Sequence, residues 1–218
     1  MTNRWIGLVL IVAATAFVFA VMNQLPERVS IHWGINGQVD GYADRFFVVW
    51  LMPVGLVGVW LLFTVISNFD PINKNYAGMS DTLKRFNNAI VLFLCMVHVA
   101  LLVFALGWQV SMPRIMLVGT GVLFAVLGNE MGRLHRNSWF GIRLPWTLND
   151  EDVWRQSHRV GGRIMVGAGL LMVIVSLVAP LLAMMWLSIV IMFGMTAGMI
   201  GYSYWVAMQK SRNRSQRL

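Results

Sequence analysis

Two stretches hold most of the side chains that could do chemistry. The first, from Asn23 to Arg45, contains His32, Trp33, Gly37, Asp40 and Tyr42. His32 and Asp40 could share a hydrogen bond or a metal ion, but two candidate ligands do not define a metal site. Its glycines read as tight turns, and His32, Trp33 and Tyr42 as anchors at a membrane–water boundary or as contacts for a ligand. The second stretch, Asn137 to Gly162, reads NSWFGIRLPWTLNDEDVWRQSHRVGG and holds three of the chain's ten tryptophans. Within it Arg143 lies between Ile142 and Leu144, flanked by Phe140 and Trp146. An arginine among aromatic rings can stack on them and still bind a carboxylate or a phosphate through two nitrogens. Glu130 is the expected carboxylate.

The other readings of these residues bind no cofactor. Glu130, His135 and His158 match no metal-ligand spacing, so no metal or other cofactor is expected. The sequence has no nucleophile elbow, phosphate loop or HExxH pattern. His98 stands alone in an apolar run, where an interhelical hydrogen bond is the simpler reading and a proton relay the sharper one. Cys95 is the single cysteine, which rules out an internal disulfide.

The elements that must position these groups follow from composition. Hydrophobic residues make up 58% of the chain and charged residues 12%, against about 25% charged in a soluble domain. Apolar runs near the roughly 20 residues that cross a bilayer recur six times. The expected fold is therefore an all-α integral membrane protein with six transmembrane helices. The spans are Trp5–Met22, Phe46–Ile66 with Pro53 inside, Ala89–Val110, Ile115 to about Leu134, Ile164–Ala179 and Leu187–Met208. Pro113 marks a tight turn between the third and fourth, Asp70-Pro71 another turn, and Ser80/Asp81 a helix start. Asn129 and Glu130 are placed in the fourth span near the membrane boundary, facing protein. Gly194, Gly198 and Gly201 in the sixth are spaced to let helices approach closely. The chain divides into a two-span unit, 1–66, with outer loop 23–45, and a four-span unit, 67–218, with loop 129–163.

Between the fourth and fifth spans a short amphipathic helix is expected. Leu144-Pro145 forces an extended step, Asn149 can cap, and Asp150, Glu151 and Asp152 suit a first turn. Val153, Trp154, Ser157 and Val160 share one side, and Gly161-Gly162 reads as the stop. This helix should lie along the membrane surface with Trp154 buried and Arg155 and Arg159 outward. Of the 17 Lys and Arg residues, 14 fall on the side of the N-terminus, the second and fourth loops and the tail, and three on the other. By the positive-inside rule both termini and the 137–162 stretch are cytoplasmic, in a plasma or inner membrane, and loop 23–45 faces outward. The net charge of +8 then reflects orientation and contact with anionic lipid rather than direct nucleic-acid binding.

The pairing of LPERVSIHWGINGQVDGYADR with the later signature resembles the SdpI family of bacterial membrane proteins. The signature is carried by Gly128-Asn129, Arg133, Asn137, Phe140-Gly141-Ile142-Arg143, Pro145-Trp146-Thr147-Leu148, Trp154, His158 and Gly161-Gly162. The first part resembles that family's N-terminal domain of unknown function through His32-Trp33, Gly37, Asp40 and Tyr42. Leu144 and Ser157 depart from it, standing where threonine is common. The resemblance implies a six-span protein that protects against a secreted, membrane-active toxic peptide. In the founding system such a protein also draws a small cytoplasmic autorepressor to the membrane. A membrane enzyme acting on lipid or peptide through Glu130, Arg143 and His158 is the alternative. A small transporter is a weaker one, since few polar groups besides His98 lie deep in the spans.

Overall fold

The computed structural model describes residues 5–66 and 79–216, with the side chains of residues 66 and 214 left aside. Arg4, the Asp70-Pro71 turn, Lys74 and Arg217 lie outside the described residues. Among the described residues there are seven α-helices and one hairpin: α1 Trp5–Val21, β1 Arg28–Trp33, β2 Val39–Asp44, α2 Arg45–Ile66, α3 Ser80–Ala105, α4 Met112–Met131, α5 Pro145–Leu148, α6 Glu151–Val178 and α7 Leu181–Ser215. All but α5 are long and apolar enough to cross a membrane, so this is a multi-pass membrane protein. Exposed Val9, Val12, Leu62, Leu170, Val190 and Phe193 give these helices lipid-compatible outer surfaces.

Three of the expected elements differ from those observed. The Ser80 start opens no separate element but runs directly into the third span. The amphipathic segment is the first part of α6, which passes through Gly161 and Gly162 to Val178. A glycine stops a helix when it takes a left-handed conformation. Neither does so here; positive φ occurs only at Gly37, Gly107 and Gly141 among the described residues. At 28 residues α6 is roughly 42 Å long, more than the roughly 30 Å hydrocarbon core needs, so its first turns project beyond the membrane. The loop after α1 contains a β-hairpin, for which Asn36-Gly37 in the connecting turn is the signal.

The closest helix approach lies between α4 and α6. A Cβ on Gly128 would stand 2.7 Å from the Gly162 carbonyl, and one on Gly162 would stand 2.5 Å from the Gly128 carbonyl. One heptad away, Gly121 and Gly169 meet in the same reciprocal manner. Two glycine pairs in antiparallel register thus bring two backbones into contact, the arrangement membrane helices use when small residues face each other. The expected stripe on α7 does no such work: a Cβ on Gly194 or Gly201 meets nothing within 4 Å, and one on Gly198 touches only Ile164 at 3.7 Å. Both ends of α6 are tied. Asp150 caps its start, and Arg114 of α4 donates to the Leu177 and Ala179 carbonyls at 3.1 and 3.2 Å. These carbonyls lie at the helix C-terminus, where no intrahelical donor remains for them.

Packing divides into three apolar clusters. Val18, Leu25, Val29, Val48, Leu102 and Met112 gather under the hairpin. Ile11, Ala14, Leu56, Val91 and Cys95 fill a middle layer. Met79, Leu83, Phe86, Met131, Leu134, Ile142 and Trp154 lie at the opposite end, under the loop that joins α4 to α6. His98 is fully buried in α3, and neither ring nitrogen has a hydrogen-bond partner among the described residues, where the expected interhelical hydrogen bond is not formed.

Candidate functional site

Residues 132–150 fold into a cap over the ends of α4 and α6, organised by side chains with no solvent exposure. Asn137 is one of them. Its amide oxygen accepts from the Trp139 and Phe140 N–H groups at 2.8 and 2.7 Å, and its nitrogen donates to the His135 and Phe140 carbonyls. One asparagine thereby satisfies four backbone groups that a buried loop would otherwise leave unpaired. Thr147 does the same over a shorter range, donating to the Ile142 carbonyl at 2.6 Å and accepting from the Leu144 N–H at 3.0 Å. Leu144 is extended, as expected before a proline, and Pro145 opens the single turn of α5.

His158 is the keystone. It stacks on Trp154 with ring centroids 3.9 Å apart and 20° between planes. Its Nδ1 faces the Trp154 carbonyl at 2.8 Å, and its Nε2 accepts from the Ile142 N–H at 2.9 Å. An acceptor nitrogen carries a lone pair, so the ring is neutral with its proton on Nδ1. Gly141 makes the approach possible: it has φ +102°, and a Cβ there would run into His158 Nε2. Trp154 in turn donates its indole N–H to the Leu134 carbonyl at 2.8 Å. The loop is thus pinned to α6 from both its start and its middle.

Trp146 joins the cap to α7, donating to Ser203 Oγ at 3.1 Å and meeting Tyr204 edge-on at 5.4 Å. Lys210 of α7 reaches back to Asp150 at 2.6 Å and to Asp152 at 2.8 Å. Asp150, not Asn149, is the helix cap, accepting from the Asp152 and Val153 N–H groups. The Lys210 contact, and after it those backbone N–H groups, hold the Asp150 carboxyl below its usual pKa. Trp154 is buried with Arg155 and Arg159 outward, as the sequence implied.

Glu130 is buried, but its partners are Arg85 at 2.9 Å and Arg133 at 2.7 Å, not Arg143. Arg133 sits at i+3 from Glu130 and Arg85 projects from α3, so two nearer cations occupy the carboxylate. Asn129, one residue before Glu130, points outward and is exposed, because adjacent helix positions lie about 100° apart. Arg143 is exposed and forms no hydrogen bond or ion pair among the described residues. No trio of His, Cys, Asp or Glu side chains able to hold a metal occurs among the described residues.

At the other end of the bundle, the hairpin pairs Arg28 with Asp44 through Trp33 with Val39. His32 Nδ1 and Asp40 Oδ1 meet at 2.5 Å across the strands, and both side chains are more than half exposed. Gly37 has φ +75°, and a Cβ there would stand 2.5 Å from Leu181 at the start of α7. Trp33 lies edge-on to Phe104 of α3 at 5.3 Å, anchoring the hairpin to the bundle, while Tyr42 stays exposed beneath the Arg28 guanidinium. The five outer-loop residues singled out from sequence therefore form one unit, with a buried root and a polar, aromatic face.

Comparison with known proteins identifies both regions. Residues 133–204 match the SdpI/YfhL protein family, and residues 9–57 match a domain of unknown function, DUF1648. About a third of the chain, carrying the cap and the helices beside it, is thus similar to the SdpI/YfhL family. It is 25% identical over 169 residues to "Immunity protein SdpI" of Bacillus subtilis (strain 168), covering 77% of this chain and 79% of that one. No solved structure matches. The SdpI region begins at Arg133 and contains all of the cap but its first residue, α6 and most of α7, and DUF1648 spans the hairpin. Sequence reasoning missed Arg85 and Lys210 as partners of this site. Their only signal was opposite charge at a shared membrane boundary, without a spacing to connect them.

Proposed function

We propose that this chain protects a bacterial membrane against a secreted, membrane-active toxic peptide. The observation that carries this reading is the similarity to an immunity protein along three quarters of the chain. In this reading residues 1–66 form a two-span unit whose hairpin faces outward and meets the peptide. His32, Trp33, Asp40 and Tyr42 supply a charged and aromatic surface, and Gly37 seats it on α7. Residues 67–218 form a four-span unit whose cap faces the cytoplasm, as the excess of Lys and Arg at that end supports. The cap ties α4, α6 and α7 together, so a change in their packing at the outer end would alter the surface it presents. A small autorepressor could read that surface in the cytoplasm, and membrane lipids are the remaining partners.

The geometry favours binding over catalysis. Both nitrogens of His158 are committed to backbone groups, and Glu130 lies between two arginines away from Arg143. The acid, base and cation of the enzyme reading are thus not convergent. Photocrosslinking tests the proposal: with a benzoylphenylalanine replacing Tyr42, a sporulation-delaying-type toxic peptide added to intact cells should attach to the chain. The same residue placed at Asn149 should capture none. Capture at Asn149 alone would place the peptide at the wrong end and refute the assignment of the hairpin.

A further inference from the structure

Beside the cap lies a cavity of about 400 Å³, within the range of about 300–1,000 Å³ typical of small-molecule sites. Its lining comes from α3, α4, α6, α7 and the cap, with Met131, Met165, Met195, Thr196 and Met199 beside Arg143. Four methionines contribute, giving a soft wall that fits flexible apolar chains of varied shape. The Thr196 hydroxyl is spent on the Met192 carbonyl at 2.9 Å. That leaves Arg143 as the one charged side chain in the lining. It is exposed and has no protein partner among the described residues.

Such a site suits one kind of occupant. An apolar pocket among apolar helices, with a single unpaired guanidinium in its lining, matches a molecule with a hydrocarbon tail and an anionic head. Arg binds phosphate through two parallel N–H groups and sheds water more readily than Lys. Anionic phospholipid is a component of bacterial membranes, and basic residues at the membrane boundary attract its head group. We propose that this cavity holds one acyl chain of an anionic phospholipid drawn from the adjoining leaflet, with its phosphate on Arg143. The inference stands apart from the immunity reading and needs only that the chain spans a membrane.

The test is native mass spectrometry of the delipidated full-length chain, titrated with palmitoyl-oleoyl phosphatidylglycerol or with its phosphatidylcholine counterpart. The wild type should retain one phosphatidylglycerol in preference to phosphatidylcholine. Arg143→Gln should weaken the phosphatidylglycerol adduct by about tenfold, the loss of one charge-assisted contact, and abolish the preference. Arg159→Gln removes an exposed charge outside the cavity and should change neither. Met199→Trp should fill the space and reduce retention of both lipids. On the wild type, phosphatidylglycerol with a diazirine near its chain terminus should label Met165, Met195 or Met199, a readout that needs no variant to fold. Equal loss in Arg159→Gln would mean diffuse charge attraction and overturn the site. So would an unchanged adduct in Arg143→Gln, or labelling confined to outward-facing residues of α1 and α2. A dimer that Met199→Trp abolishes would assign the cavity to a second copy of the chain and likewise overturn the proposal.

Discussion

Gly141→Ala measures how much the cap depends on the contact between its loop and His158. Two costs arise in the native structure. Holding a non-glycine residue at φ +102° costs about 1–3 kcal/mol. The new methyl group would also displace the His158 ring, breaking its 2.9 Å bond to the Ile142 N–H and leaving a buried donor unpaired for about another 1–3 kcal/mol. Together Gly141→Ala should destabilise the protein by roughly 2–6 kcal/mol. In a His158→Ala background the clash and the bond are already gone, so only the backbone term remains. The two substitutions should therefore be less than additive by about 1–3 kcal/mol. Cys95, the sole cysteine and buried in α3, supplies the assay: its labelling by a fluorogenic maleimide along a detergent-unfolding titration reports the free energy of each variant. Additive losses, or a harmless Gly141→Ala, would refute the assignment of His158 as the group that fixes the loop.

Four further outcomes are expected. Gly162→Leu should abolish accumulation in the membrane by forcing α4 away from α6, whereas Gly201→Ala should leave levels unchanged, both read by immunoblot of membrane fractions. For Asp150, the folded pKa is depressed, so its stabilising contribution is complete above its unfolded value of about 3.9 and is lost as pH falls through the folded value. Asp150→Asn should accordingly flatten the acid limb of the stability–pH curve, and a steeper limb would contradict the sign. An alkaline phosphatase fusion should be active at Gly37 and inactive at Asn149; the reverse pattern would overturn the orientation. Trp146→Ala should impair protection at normal membrane levels, because it removes the hydrogen bond that joins the cap to Ser203 of α7.

The six spans were legible because a bilayer demands long apolar runs whatever the helices pack against, and Asn129 and Glu130 were rightly kept inside the fourth. Packing was less legible. Gly161-Gly162 resembles a helix stop, and only its partner Gly128 reveals that the missing side chains serve close approach instead. The same reasoning misplaced the tight helix contact on Gly194, Gly198 and Gly201, since spacing identifies a small face without saying whether anything lies against it. The cap was readable residue by residue, with Trp154 and His158 singled out and Asn137 and Thr147 within the signature. Its wiring was not. Which carboxylate an arginine meets depends on the approach of distant helices, and Arg85 reaches Glu130 from 45 positions upstream. The hairpin was hidden because its strands are short and poorly alternating, with Asn36-Gly37 the clearest mark of its turn.

Protection itself is the most direct test of the account. A bacterial strain sensitive to a sporulation-delaying-type peptide should be given the wild-type chain, Asp40→Asn and an empty vector, with membrane levels of the two proteins matched by immunoblot. Survival is then scored over a series of peptide concentrations. The account predicts that the wild type shifts the killing curve to higher peptide concentration and that Asp40→Asn, which removes the carboxylate paired with His32 on the outer face, gives up much of that shift. A wild-type curve superimposed on that of the empty vector, with the protein present in the membrane, would contradict it.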